Sequence, residues 1–307
     1  LGDAQTAEAR ADALETLAAD LPDASRGALD LPRAEALLDA GRGAECVALL
    51  QPILERDEND LAALFTAQRL ARRCGARRQE GQLWARLANC LQEEGGRKHA
   101  LVQAAQAFSE VDRDDDAKLA LRHALLIDPR DSSLSAKLET LCADSDDAPG
   151  VETVLGIRLG VAESPGERVA ILTARAELRL QRLQAPRMAA ADLLRVLEED
   201  PGNLDALRTL ARLAEEHGDT SRAIAFYKRL TEETESLSLK RPAVLRLATL
   251  LLEAKRAVDA ADICRRFVEA APEDEEVLAR LAEIYVAVPD YSRAVETLER
   301  LGRLSED

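Results

Sequence analysis

A stretch of 34 residues, Lys98 to Asp131, recurs in altered form along the chain, and a repeat of that length limits the fold more than any other feature. Within it Leu101, Ala104, Ala105 and Phe108 share one helical face, while Ala117, Leu121 and Ala124 share a second, and Pro129 closes the unit. The same frame fits from Leu204 onward, with Leu207, Leu210, Ala211, Ala214, Gly218, Ala223 and Tyr227. It fits Arg241 to Asp274 with Val244, Leu247, Ala248, Leu251, Ala260, Cys264, Phe267 and Pro272, and again from Glu275 with Leu278, Leu281, Ala282, Tyr285, Ala294, Leu298 and Leu301. Looser copies start near Gly27, Leu61 and Ala170, and the copy after Ser132 fits least well. A two-helix unit of this kind leaves an apolar face that only the next unit can cover, so the copies must stack.

The unit resembles the tetratricopeptide repeat. That family places a bulky residue at position 4, Leu at 7, a small residue at 8, an aromatic at 11, Ala at 20, an aromatic at 24, Ala at 27 and Pro at 32. Here Ala105, Ala211, Ala248 and Ala282 stand at position 8, and Ala117, Ala223, Ala260 and Ala294 at position 20. Small residues are needed there because the two helices of a unit cross at close range. Pro129, Pro201 and Pro272 stand at position 32, where proline ends the second helix. Phe108, Tyr285, Trp84 and Tyr227 hold some of the aromatic positions. The resemblance covers nearly the whole chain and implies an all-α fold, a right-handed superhelical solenoid of stacked helix–turn–helix repeats with a groove.

The expected organisation is a capping helix and linker over 1–26 (helix Ala4 to Asp20), about 3.5 repeats over 27–145, an irregular break with one helix over 146–169, and four repeats over 170–307. The break rests on Asp144–Gly150 (DSDDAPG), a helix from about Val151 to Ala162, and Ser164-Pro165-Gly166; it marks either a bend between two stacks or a degenerate unit. Pro52, inside the run CVALLQPILERD, predicts a kink or a late helix start. The opening at Leu1 and the closing Glu306 and Asp307, without a clear polar capping helix, read as the ends of a piece cut from a longer protein.

Composition excludes several classes. Of 307 residues 47% are hydrophobic and 32% charged, a mixture unlike that of disordered chains, and no run of eighteen uncharged apolar residues exists to cross a bilayer. The 41 basic and 57 acidic residues give a net charge of −16, which argues against general affinity for nucleic acid. With aromatics at 3%, the interior must be built of Leu, Val and Ala. Cys46, Cys74, Cys90, Cys142 and Cys264 are widely spaced with no CxxC, so they read as small buried hydrophobes in a reducing cytoplasm, with no disulfide framework and no zinc. The abundance of Ala, Leu and Arg fits a GC-rich bacterial source.

Signs of catalysis are missing. His99, His123 and His217 fall in different units and beside no nucleophile motif, and no GxSxG, HExxH, GxGxxG or GxxxxGK[ST] occurs. Asp112, Asp114 and Asp116 have calcium-loop spacing, but Ala117 replaces the loop glycine and His123 the bidentate Glu, so this run reads as a solvated inter-helix turn. Neither an enzyme nor any cofactor or metal is expected.

By the resemblance, positions 2, 5, 6, 9, 12 and 13 of each first helix line the groove. Arg175, Arg246 and Arg280 fall at position 6, Arg208 and Arg212 at 5 and 9 of the remaining late unit, and Arg182 at 13 of the unit before it. Toward the N-terminus Arg69, Arg72 and Arg73 fall at 9, 12 and 13. Arginine forks pair bidentately with carboxylates, so such a groove suits an acidic peptide segment or a C-terminal tail. The chaperone-tail clamp of the family does not carry over beyond the position-6 arginines: position 2 holds Ile171, Asp205, Pro242 and Glu276, with no Lys, and the clamp asparagines are absent. The function expected is a scaffold binding a partner protein or peptide in the groove, with Arg175, Arg182, Arg208, Arg212, Arg246 and Arg280 as contact residues. The alternative is a structural spacer or self-associating solenoid with no groove ligand.

Overall fold

A computed structural model describes residues 2–304, apart from the side chains of residues 2–5, 23 and 24; Leu1, Glu306 and Asp307 lie outside the described residues. Among the described residues there is no β-strand. The backbone falls into two compact units that divide between Val161 and Ala162.

The first unit opens with α1 (Gly2–Asp20) and the single turn α2 (Asp23–Arg26). Four helical hairpins follow: α3 (Asp30–Asp39) with α4 (Gly43–Arg56), α5 (Leu61–Arg73) with α6 (Arg77–Cys90), α7 (Glu94–Ser109) with α8 (Asp114–Ile127), and α9 (Ser132–Asp144) with α10 (Ala148–Val161). The second unit has four more: α11 (Pro165–Gln181) with α12 (Pro186–Glu199), α13 (Leu204–Glu216) with α14 (Thr220–Glu233), α15 (Leu237–Glu253) with α16 (Ala257–Ala270), and α17 (Glu275–Ala287) with α18 (Tyr291–Leu304). In each unit consecutive hairpins stack on one another, and α1 lies against α3.

One turn chemistry joins the helices of a hairpin. Two or three residues beyond the first helix, one residue has positive φ: Gly41, Gly75 and Gly218 at 79°, 70° and 72°, but also Asp112, Asp146, Gln184, Lys255 and Pro289 at 54°, 56°, 50°, 60° and 27°. The next backbone N–H then donates to the carbonyl five residues back, as in Arg42 to Leu37, Arg113 to Phe108, Asp147 to Cys142 and Arg256 to Leu251, at 2.8–3.0 Å. This satisfies a carbonyl that the helix end would otherwise orphan. Asp144–Gly150, expected as an irregular break, is such a turn: it joins α9 to α10, and the Asp147 carboxylate caps α10 by accepting from Gly150 N at 2.9 Å. Ser164-Pro165-Gly166 opens α11, with Ser164 Oγ accepting from Glu167 N at 3.1 Å and Pro165 in the first turn, where its missing N–H costs nothing. Pro52 neither delays nor ends α4, which starts at Gly43 and runs through it.

The fold also has a longer period than the one read from sequence. Second helices α4, α6, α8, α10, α12, α14, α16 and α18 all have 14 residues. First helices alternate: α5, α9, α13 and α17 have 13, whereas α7 has 16 and α11 and α15 have 17. The short ones open on Asp60, Asp131, Asn203 and Asp274, whose side chains accept from the backbone N–H three residues on. The long ones carry a cation in their extra turn that reaches the acidic residues around the following turn. Lys98 meets Asp128 and Asp131 at 2.7 Å, Arg168 meets Glu199 at 2.7 Å, and Arg241 meets Asp274 and Glu276 at 3.7 Å.

Most helix crossings follow the small-residue rule; α5–α6 does not, nor does α9–α10, where Glu139 and Val151 take the two places. Ala105, Ala117, Ala211, Ala223, Ala248, Ala260, Ala282 and Ala294 are all buried. In the α5–α6 hairpin the two positions hold Gln68 and Glu80, both buried, with Gln68 Nε2 donating to Glu80 at 3.1 Å. Arg77 holds the other Glu80 oxygen at 2.6 Å, so the carboxylate enters the crossing fully paired. Cys46, Cys142 and Cys264 sit in the core, and burial pushes the Cys46 and Cys264 thiols up to about 11 and about 12. Cys74 is exposed and Cys90 half-buried, because each falls where a helix ends; these two correct the reading of all five as core residues.

Candidate partner-binding face

Of the predicted contact residues, Arg175 is drawn into the core and the others stay at the surface. α11 exposes the reason. Its turn to α12 is one residue longer than the others, since Ala185 N–H reaches back six residues to the Arg179 carbonyl at 2.8 Å. Residues of α11 therefore sit one place later in the frame. Its buried Ile171, Leu172 and Ala176 match Ala243, Val244 and Ala248 of α15, which sets Arg175 where α15 has Leu247 and Arg179 where it has Leu251. Arg175 thus points into the hairpin. Its Nε donates to Asp192 at 2.9 Å, and Arg179 reaches the same carboxylate at 2.5 Å, with side-chain exposures of only 12%, 10% and 3%. Arg179 and Asp192 are residues that the sequence reading missed; a charged residue at a leucine position was the signal that could have found them. Arg182 caps α11 and is exposed.

On α13, α15 and α17 the arginines remain at the surface. Arg208 meets Asp205 at 3.0 Å and Arg212 meets Glu216 at 2.8 Å, both within one helix. Arg246 and Arg280 instead reach back across hairpins. Arg246 Nε donates to Glu215 of α13 at 2.7 Å, and Arg280 donates to Thr249 Oγ1 of α15 at 2.8 Å and to Glu283 at 2.7 Å. Burial disfavours the charged form of Glu215, but the hydrogen bonds from Arg246 and Tyr227 and the Arg246 charge together outweigh it and hold the carboxyl below its usual range. Burial, with the Glu215 carboxylate next to it, drives the Tyr227 phenol up. In the first unit Arg69 and Arg73 share Asp39 at 2.8 and 3.4 Å, and Arg72 lies 4.0 Å from Glu80.

The face is therefore a ladder of alternating charge, in which each arginine already holds an acid or a hydroxyl. It has the means to exchange ion pairs with a peptide, and nothing in it resembles a nucleophile with a base. Among the described residues no cluster of His, Cys, Asp and Glu could hold a metal, and no helix is long and apolar enough to cross a membrane. Asp112 lies in the turn before α8, and Asp116 meets Arg113 at 2.5 Å.

Comparison with known proteins bears on the family alone. The structure of Naa15/Naa10 bound to HypK-THB aligns with 17% identity and a TM-score of 0.42, covering 84% of this chain but only 39% of that one. A tetratricopeptide repeat protein from Parabacteroides merdae aligns with 18% identity and a TM-score of 0.34, over 67% of this chain and 79% of that one. MamA protein aligns with 12% identity and a TM-score of 0.40, over 57% of this chain and 91% of its own. No curated protein matches. The family model described as tetratricopeptide repeat matches residues 180–237 and 242–307, which span the C-terminal end of α11 and α12 to α18 apart from residues 238–241 of α15. With helical hairpins that cross on small residues, the part of the chain from residue 180 to residue 307 belongs to the tetratricopeptide repeat family.

Proposed function

We propose that the chain is a protein-interaction scaffold and that the first-helix face of α13, α15 and α17 takes a carboxylate-bearing segment of a partner protein. The observation that carries this reading is the row Arg208, Arg212 and Arg246, with side chains 52%, 58% and 47% exposed. Arg280 prolongs the row at one end and Arg182 at the other. Exposed pairs such as Arg208–Asp205 and Arg212–Glu216 contribute only ~0–1 kcal/mol, so an incoming carboxylate can displace them at little cost and gain a bidentate fork. Arg175 drops out of the contact set because Asp192 holds it inside the hairpin. The free thiols, with Cys74 exposed among them, favour a reducing compartment such as the cytoplasm.

The test is a titration of two fluorescein-labelled peptides, alike except that one carries Glu where the other carries Lys, read by fluorescence anisotropy. The acidic peptide should saturate, and the double substitution Arg208→Glu with Arg212→Glu should weaken it about tenfold or more, equivalent to ~1.4 kcal/mol, with helicity unchanged. Equal binding of both peptides, or indifference to the substitutions, would refute the proposal.

A further inference from the structure

We propose that a cleft on the first unit, separate from the arginine row, binds the apolar face of a basic amphipathic helix supplied by a partner protein. The cleft has a volume of about 1050 Å³ and runs over the second helices α4, α6 and α8, with α5 and α7 reaching its floor through Leu70, Ala71 and Phe108. Val47 on α4 and Leu119 on α8 stand along it, 48% and 49% exposed, where water gains nothing from them. It lies beside the hairpin whose crossing holds Gln68 and Glu80 in place of two small residues. An apolar floor opened lengthwise between helices accepts another helix, which would present anchors one turn apart.

The charge along the cleft selects the sign of that helix. Glu55 and Glu58, at the end of α4 and just beyond it, line the cleft, and among the described residues neither carboxylate pairs with a Lys or Arg. Glu55 accepts only from Gln51, at 2.9 Å. The one arginine of the lining, Arg86, donates to the Glu58 backbone carbonyl. The other polar groups of the wall are mainly neutral amides, Gln79, Gln82 and Asn89. A helix with Lys or Arg flanking an apolar stripe would bury the stripe on the floor and offer cations to Glu55 and Glu58, and the net charge of −16 would steer it in. The two proposed ligands thus differ in charge and in the unit they occupy, and either can fail without the other.

The experiment uses the full chain and a fluorescein-labelled Leu/Lys peptide designed as an amphipathic helix, with a scrambled peptide of the same composition as its partner probe. The amphipathic peptide should saturate, and the scrambled one should bind at least tenfold more weakly. Val47→Arg with Leu119→Arg should weaken binding tenfold or more, and both positions are exposed enough to leave the fold intact. Glu55→Gln with Glu58→Gln should weaken it about threefold and flatten its salt dependence. Val258→Arg, at a residue 65% exposed in the second unit, should change nothing. Equal binding of the two peptides, no binding of either, or equal effects of the cleft and Val258 substitutions would overturn the proposal. So would a concentration-dependent dimer abolished by Leu119→Arg, which would assign the cleft to a second copy of this chain.

Discussion

Arg175, Arg179 and Asp192 show how one residue of chain length redirects a side chain. Had the α11–α12 turn matched the others, Arg175 would sit on the groove side at position 6; the extra residue turns it inward by one helical step. Two guanidiniums on a single carboxylate inside a hairpin are tolerable only while the carboxylate is there. Asp192→Ala should therefore destabilise the chain by about 3 kcal/mol in urea denaturation, far more than removal of an exposed acid such as Asp205. If both cost the same, the charge cluster is not structural. The slip was invisible to a fixed 34-residue frame, because Ala189 keeps its place after the turn while α11 shifts before it. The alanines at the crossings were legible for the opposite reason: steric closeness tolerates few residue types there. Gln68 and Glu80 escaped that reading because a hydrogen-bonded polar pair solves the same crossing by different chemistry.

Between helices, turn residues carry information that the apolar pattern lacks. Gly41, Gly75 and Gly218 announce positive φ, and the same conformation falls to Lys255 in the α15–α16 turn, where a β-carbon is strained. Lys255→Gly should stabilise the chain by about 0.5–1 kcal/mol, read as a higher urea midpoint at unchanged m-value. A lower midpoint would mean that the Lys255 side chain contributes more than its backbone strain costs. The two-hairpin period was hidden for a related reason. It resides in an additional helical turn and in the cations Lys98, Arg168 and Arg241, which apolar spacing does not register. Asp144–Gly150 misled because it is rich in loop formers, yet Asp146 at φ 56° and the Asp147 cap make it an ordinary hairpin turn.

In a stack of hairpins, each element draws its stability from its neighbours in sequence, so a cavity should act locally before it acts globally. The core of α15 to α18 offers the test. Leu247 is fully buried there in one apolar cluster with Val244, Leu251, Cys264 and Leu278. Leu247→Ala removes that volume and should cost about 2–5 kcal/mol. Native-state hydrogen exchange should then speed up most in α15 and α16, less in α13, α14, α17 and α18, and least in α11 and α12. The gradient follows from the order in which hairpins touch: α15 and α16 contact α14 and α17, whereas α11 and α12 reach them only through α13 and α14. Equal acceleration throughout the second unit would show that it opens all at once, and nearest-neighbour stacking would then fail as an account of its stability. A graded response would also bear on the partner-binding face. Arg246 reaches Glu215 across the α13–α15 step, so the arginine row keeps its spacing only while those two helices stay stacked. A scaffold that loosened one hairpin at a time would lose its ligand before it lost its fold, and binding by the Leu247→Ala chain should fall at a urea concentration where most of its helicity remains.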